Sequence, residues 1–312
     1  MLFFPYKVDI DLNRLPVVTI LICLICCGIY ILQYSSERAV TNSALEFCKQ
    51  KHQVKLNLVL ERVVGHGDLL ACVKLFSSLH NNSNPKNVIS LLAERSGTIS
   101  SLDFARSKIL IVNTLSDNYT EFSRQAPSSL TAELMYDPQS LSLRRMILSV
   151  FAHGSWMHLI GNLFFFFAFA ASVEIILGSI TFLTVILILA SSTNLIYSLT
   201  MFFQSRMVPT LGLSGVVMGM IGLFTFLIPT ARIRCFFWFI LIIRIFSIPA
   251  WILVLWYFGW DLYNLYFSQS EQSNVNLIAH VSGALLGLSM GFLFFRNRRP
   301  MLTSSKRLRR VS

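Results

Sequence analysis

Charge is what this chain has least of. Only 13% of its 312 residues are charged, and fifteen acidic residues stand against twenty-six basic ones. A soluble globule carries about a quarter of its residues as charge, so a wholly aqueous fold is excluded. Histidine is scarce too, at six residues. His153 and His158 have neither a carboxylate nor a cysteine close by, so no zinc site and no other cofactor is expected. Internal repeats and low-complexity tracts are missing. No small-x-small cleavage site follows the first apolar run, which is therefore read as a retained span and not a secretory signal. Inverted-repeat pairing and interrupted helices are also missing, which argues against a transporter or channel.

What is abundant is apolar: 54% of residues are hydrophobic and Phe alone occurs 26 times. A bilayer core of roughly 30 Å needs about 20 apolar residues per helix. Six stretches meet that need, at 16–34, 157–174, 177–199, 210–228, 245–267 and 275–295. The expected fold is an all-α polytopic membrane bundle of six helices. Residues 1–15 precede the first span, a basic tail at 296–312 follows the last, and a soluble, mainly helical insert at 35–135 separates the first two spans.

Basic residues resist translocation and so fix orientation. Lys7 and Arg14 precede the first span, Arg232 and Arg234 lie between the fourth and fifth, and Arg296, Arg298, Arg299, Lys306, Arg307, Arg309 and Arg310 follow the sixth. On the opposite side only Arg206 interrupts the short loops. Both termini are expected in the cytoplasm and the insert outside, in a multi-pass protein of a bacterial plasma membrane. The excess positive charge is then topological. It favours contact with lipid headgroups over binding of nucleic acid, which is not expected as a partner.

Several features receive a structural reading. Cys23, Cys26 and Cys27 fill the surface of the first span. Arg244 and the aromatic residues from Phe236 onward are placed at the cytoplasmic interface, with Pro249 in the first turn of the fifth span. In the insert, apolar residues recur at helical spacing from Leu45 to Leu79, and another helix is expected to open at Asn84 and Pro85. Cys48 and Cys72 could pair in an oxidising compartment, but two separately buried thiols is the favoured reading. Asn81 and Asn118 head glycosylation sequons.

Chemistry gathers at one depth. The second, fourth and sixth spans all enter from outside. They carry His153, His158 and Asn162, then Ser214 in a first turn, then His280 about five residues in. At about 1.5 Å per residue these groups share a layer within very roughly 10 Å of the outer surface. Taken singly, each is an ordinary helix-linking residue. Together, polar groups in lipid demand a partner network or a wet cavity, and their types suit acyl transfer, with Ser as nucleophile, His as base and donors for an oxyanion. Gly215 and Gly219 face Gly283, Gly287 and Gly291 at a spacing that lets two helix backbones approach. Ser214 begins a helix, where backbone amides are available to an anion.

At these residues the chain resembles the rhomboid family of intramembrane serine proteases. The resemblance covers about 136–295. It rests on the segment from His153 through His158 to Asn162, on Gly212-Leu213-Ser214-Gly215, and on Ala279-His280-Val281-Ser282-Gly283 with Gly287. Glu174 with Gly178, and Tyr136-Asp137-Pro138 with Arg145, sit where that family has similar residues. The resemblance implies a rhomboid-like bundle and an endopeptidase that cuts transmembrane protein substrates in the bilayer. It further implies a Ser214 and His280 dyad without an aspartate, oxyanion stabilisation by His158, Asn162 and the Ser214 amide, a supporting role for His153, and substrates with helix-breaking or small residues near the cut. The alternative is a catalytically silent chaperone or adaptor of the same superfamily.

Overall fold

The computed structural model describes residues 2–8, 14–50, 54–99, 102–202, 208–239, 242–267 and 276–299. Arg206, Lys306, Arg307, Arg309 and Arg310 lie outside the described residues. Strand β1 (Leu2–Val8) precedes the long helix α1 (Val17–Gln50). Helices α2 (Val54–Val64), α3 (Leu69–His80), α4 (Pro85–Arg95), α5 (Phe104–Gln125) and α6 (Leu130–Leu134) follow. Then come α7 (Leu143–Leu148), a short 3-10 turn at Ser149–Phe151, α8 (Trp156–Leu177), α9 (Ser179–Phe202) and α10 (Ser214–Leu227). Strands β2 (Arg232–Phe239) and β3 (Ile242–Pro249), then α11 (Ala250–Phe267) and α12 (Leu277–Phe294), complete the order.

Helix is what the composition demands, because a segment in lipid must satisfy its backbone groups internally. Among the described residues, α1, α8, α9 and α12 are long and apolar enough to cross a membrane, and α10 is a shorter apolar helix of 14 residues. The protein is an integral membrane protein of the all-α polytopic class. Its contacts divide it into two units, Met1–Cys27 with Leu141–Thr200 and Leu211–Ser312, and Gly28–Ser140 with Met201–Thr210.

In the first unit the helices are fixed by local chemistry. Ser155 caps α8 by accepting the His158 backbone amide at 3.1 Å, and Asn276 caps α12 by accepting that of Ala279 at 2.9 Å. Helix α8 ends at Gly178, whose φ of +82° is a conformation that a side chain would strain. One turn earlier, the buried Glu174 carboxylate accepts from the Val18 and Thr19 amides at 3.0 and 2.8 Å, and from the Thr19 hydroxyl at 2.8 Å. Ser179 donates a fourth bond at 2.8 Å. A carboxylate here satisfies orphan amides and complements the positive end of α1.

Helices α10 and α12 meet backbone to backbone. A Cβ on Gly283 would collide with the Gly215 carbonyl, one on Gly287 with the Gly219 carbonyl, and one on Gly222 with the Ala284 carbonyl. No larger residue permits that approach, so the glycine spacing is what brings the residues near Ser214 and His280 together.

Residues 232–249 depart from the sequence reading. Instead of helix-flanking chain along the headgroups, β2 and β3 form an antiparallel hairpin, and β1 adds to it in the order β1-β2-β3. Arg244 pairs with Phe237 in the β2-β3 register, and Leu2 pairs with Trp238 in that of β1 and β2. The run is rich in aromatic and β-branched residues, which suit a pleated sheet. Pairing with β1 also satisfies backbone groups that a single extended strand would leave open. Pro249 accordingly ends β3, and α11 starts at Ala250 and not at 245.

The second unit is helical, as its sequence pattern indicates. Phe47, Phe76 and Phe122 meet with ring centroids 5.3 to 5.8 Å apart, and Leu56, Leu60, Leu79, Ile89, Ile111 and Leu115 complete a dry core. Asp68, Asn84 and Asp103 cap α3, α4 and α5, with Pro85 at the start of α4. Cys48 and Cys72 are joined in a disulfide with Cα atoms 6.1 Å apart. This corrects the expectation of two separate thiols: the packing of α1 against α3 brings together positions that their 24-residue separation does not reveal. The Asn118 amide is 7% exposed and donates to Thr114 at 2.8 Å, so that sequon is closed to modification in the folded unit.

Candidate active site

The segment before α10 turns on Gly212, whose φ of +120° is open to glycine and strained for other residues. Its amide donates to the Ser149 carbonyl at 2.9 Å. Asn194 of α9 holds that turn in place, donating to the Met146 carbonyl at 2.8 Å and to the Ser149 hydroxyl at 3.3 Å. Leu213, fully buried, is the N-cap residue of α10 and offers no side-chain cap. The first amides of α10 therefore keep their donor capacity, and the half-buried Ser214 is the first residue of that helix.

Helix α8 supplies the facing wall. A Cβ at Gly212 would lie 2.7 Å from both Cε1 and Nε2 of His158 and 3.6 Å from Nδ2 of Asn162. Both side chains thus abut the residue two before Ser214. His158 Nδ1 accepts a long bond of 3.5 Å from the Gly154 amide, an arrangement in which Nε2 carries the proton and faces the Gly212 turn as a donor. Asn162 is 8% exposed, and its buried Nδ2 has no hydrogen-bond partner among the described residues. His153, fully buried, binds the Phe151 carbonyl through Nδ1 at 3.2 Å and sets its ring edge-on to His158 with centroids 5.3 Å apart. It buttresses His158.

Helix α12 brings His280. Its neighbour Ala279 lies against Gly215, with a Cβ there 3.4 Å from the Ala279 Cβ and carbonyl oxygen. The residue after Ser214 thus touches the residue before His280. Among the described residues the buried His280 Nε2 atom has no hydrogen-bond partner, so the Ser214 hydroxyl is not bonded to it in this structure. Catalytic hydrogen bonds in apo structures are often long or unmade and tighten only with substrate. Buried polar atoms without partners cost about 1–3 kcal/mol each. Two of them, an amide donor and an imidazole nitrogen, in the helices that flank one serine require a reason.

The sequence reading passed over one residue. Asp261 of α11 places Oδ2 3.0 Å from His280 Nδ1, each side chain 15% exposed. The available signal was an ionisable residue in an apolar span, and it was overlooked because that span was read as a uniform lipid-crossing segment. Of the sequence-predicted site residues, His158 and Asn162 meet at Gly212, Gly215 and Gly283 bring α10 and α12 together with Gly287, and His153 stands behind His158.

A family model described as Rhomboid domain matches residues 140–297, a range that holds every residue of this site. No curated protein matches the chain.

Proposed function

The chain belongs to the rhomboid family, and on that premise we propose that it is an intramembrane serine endopeptidase with Ser214 as nucleophile and His280 as general base. The observation that carries this reading is the pair of unpartnered buried atoms, Asn162 Nδ2 and His280 Nε2, on either side of the uncapped start of α10. His280 Nε2 takes the Ser214 proton as Oγ bonds to the carbonyl carbon of a substrate peptide, and the carbonyl π pair moves to oxygen. That oxyanion is met by the Asn162 amide, by His158 Nε2–H and by the free backbone amide of Ser214. The carbon–nitrogen bond then breaks, His280 returns the proton to the leaving amine, and water hydrolyses the acyl-enzyme. The substrate is the unwound part of a transmembrane segment, because a helical peptide bond is shielded by its own turn. The same proposal includes cytoplasmic termini, from the distribution of basic residues.

The test is cleavage of a membrane-spanning reporter by protein reconstituted in liposomes. Ser214→Ala and His280→Ala should each abolish turnover while the folded protein accumulates normally. Undiminished cleavage by either variant contradicts the assignment. Inert wild-type protein supports the silent chaperone or adaptor instead.

A further inference from the structure

Rhomboid resemblance implies a dyad, yet His280 has an acidic neighbour. Nδ1 and Nε2 of its ring stand in opposite situations: Nδ1 is 3.0 Å from Asp261 Oδ2, and Nε2 is buried with no partner. We propose that Asp261 is a positioning residue that completes a Ser214-His280-Asp261 triad, an inference that rests on the protease reading above.

A carboxylate only accepts, so the 3.0 Å contact places the proton of neutral His280 on Nδ1. Nε2 is then left as a bare lone pair, which is the state a base needs to receive the Ser214 proton. Without Asp261, the ring would have no partner holding Nδ1, and the opposite tautomer, with Nε2 already protonated, would be inert as a base. The carboxylate also stabilises the imidazolium formed when Nε2 takes the proton. No other co-reactant is required, since the proton goes from Ser214 Oγ to Nε2 and from there to the leaving amine.

The placement fits this role. Asp261 lies six residues before the end of α11 and His280 three residues after the start of α12. Both side chains are 15% exposed, and among the described residues Asp261 has His280 as its partner. A carboxylate in an apolar helix is expensive and is retained where it is paired. Among the described residues the bond of Asp261 goes to His280 and to no backbone group, unlike Glu174, whose four bonds go to the start of α1 and to Ser179. Gly283 and Gly287, which bring α10 against α12, follow His280 by three and seven residues on its own face of the helix, and with Nδ1 taken by Asp261 the nitrogen left for Ser214 is Nε2.

The experiment measures kcat and KM for the transmembrane reporter in liposomes with wild type, Asp261→Asn, Ser214→Ala and His280→Ala. Asn keeps the size of the side chain and can no longer accept as a carboxylate. Asp261→Asn should lower kcat at least tenfold with KM within about threefold and an unchanged unfolding temperature, the pattern of a group acting on the chemical step. Loss of kcat below tenfold overturns the triad, as does a loss that follows the amount of folded protein. If Ser214→Ala or His280→Ala retains activity, the protease reading itself fails, a distinct outcome. A second measurement needs no Asp261 variant. The ¹⁵N shifts of His280, identified by their loss in His280→Ala, should report the Nδ1-protonated tautomer in the wild type near neutral pH. An Nε2-protonated ring overturns the proposal.

Discussion

At the scale of the residue, the Asn162 amide donor and the His280 Nε2 acceptor are buried polar atoms that stand without partners among the described residues. Asn162 keeps its Nδ2 buried and unpaired against the Gly212 turn, which a merely helix-linking amide would not do. Asn162→Ala should therefore lower kcat by about 10- to 1000-fold with little change in stability, read as reporter turnover beside thermal unfolding. An effect confined to stability would mark Asn162 as structural. Ser214, His280, His158 and Asn162 were legible in the sequence as candidates because a hydroxyl, an imidazole and an amide at one depth on alternate spans carry chemical meaning without coordinates. Asp261 was not: a carboxylate in an apolar span was there to see, but its meaning lies in a 3.0 Å contact between helices that the sequence does not show.

At the scale of the element, glycines set the distance between helices. Gly287→Val should force α10 and α12 apart, because even the Cβ would run into the Gly219 carbonyl. Overpacking of that kind costs about 1–3 kcal/mol, and it should lower the unfolding temperature by several degrees and reporter cleavage along with it. Equal unfolding temperatures would show that the helices tolerate the side chain. The small-residue spacing announced this contact in advance. The β2-β3 hairpin was not announced, because the apolar run from Arg232 to Pro249 lacks the alternation that marks a half-buried strand, and its partner β1 lies over two hundred residues earlier. The disulfide belongs to this scale too. Its loop of 24 residues predicts that Cys48→Ser lowers the stability of the insert by about 3 kcal/mol. Chemical unfolding of wild type and variant, each with and without reductant, measures it, and a reductant-insensitive wild type would contradict the pairing.

At the scale of the whole molecule, the scarcity of charge and the recurrence of apolar runs fixed the class of fold before any contact was known. The insert has capped helices and a core of its own. What the chain does as a molecule depends on whether its one candidate serine is chemically activated in the membrane. A serine-directed phosphonate, applied to the wild-type protein in liposomes and followed by mass spectrometry, measures that directly. The account predicts a covalent adduct on Ser214 that is missing in Ser214→Ala and strongly reduced in His280→Ala. Labelling that persists in Ser214→Ala, or an unmodified Ser214 in protein that cleaves the reporter, would contradict it.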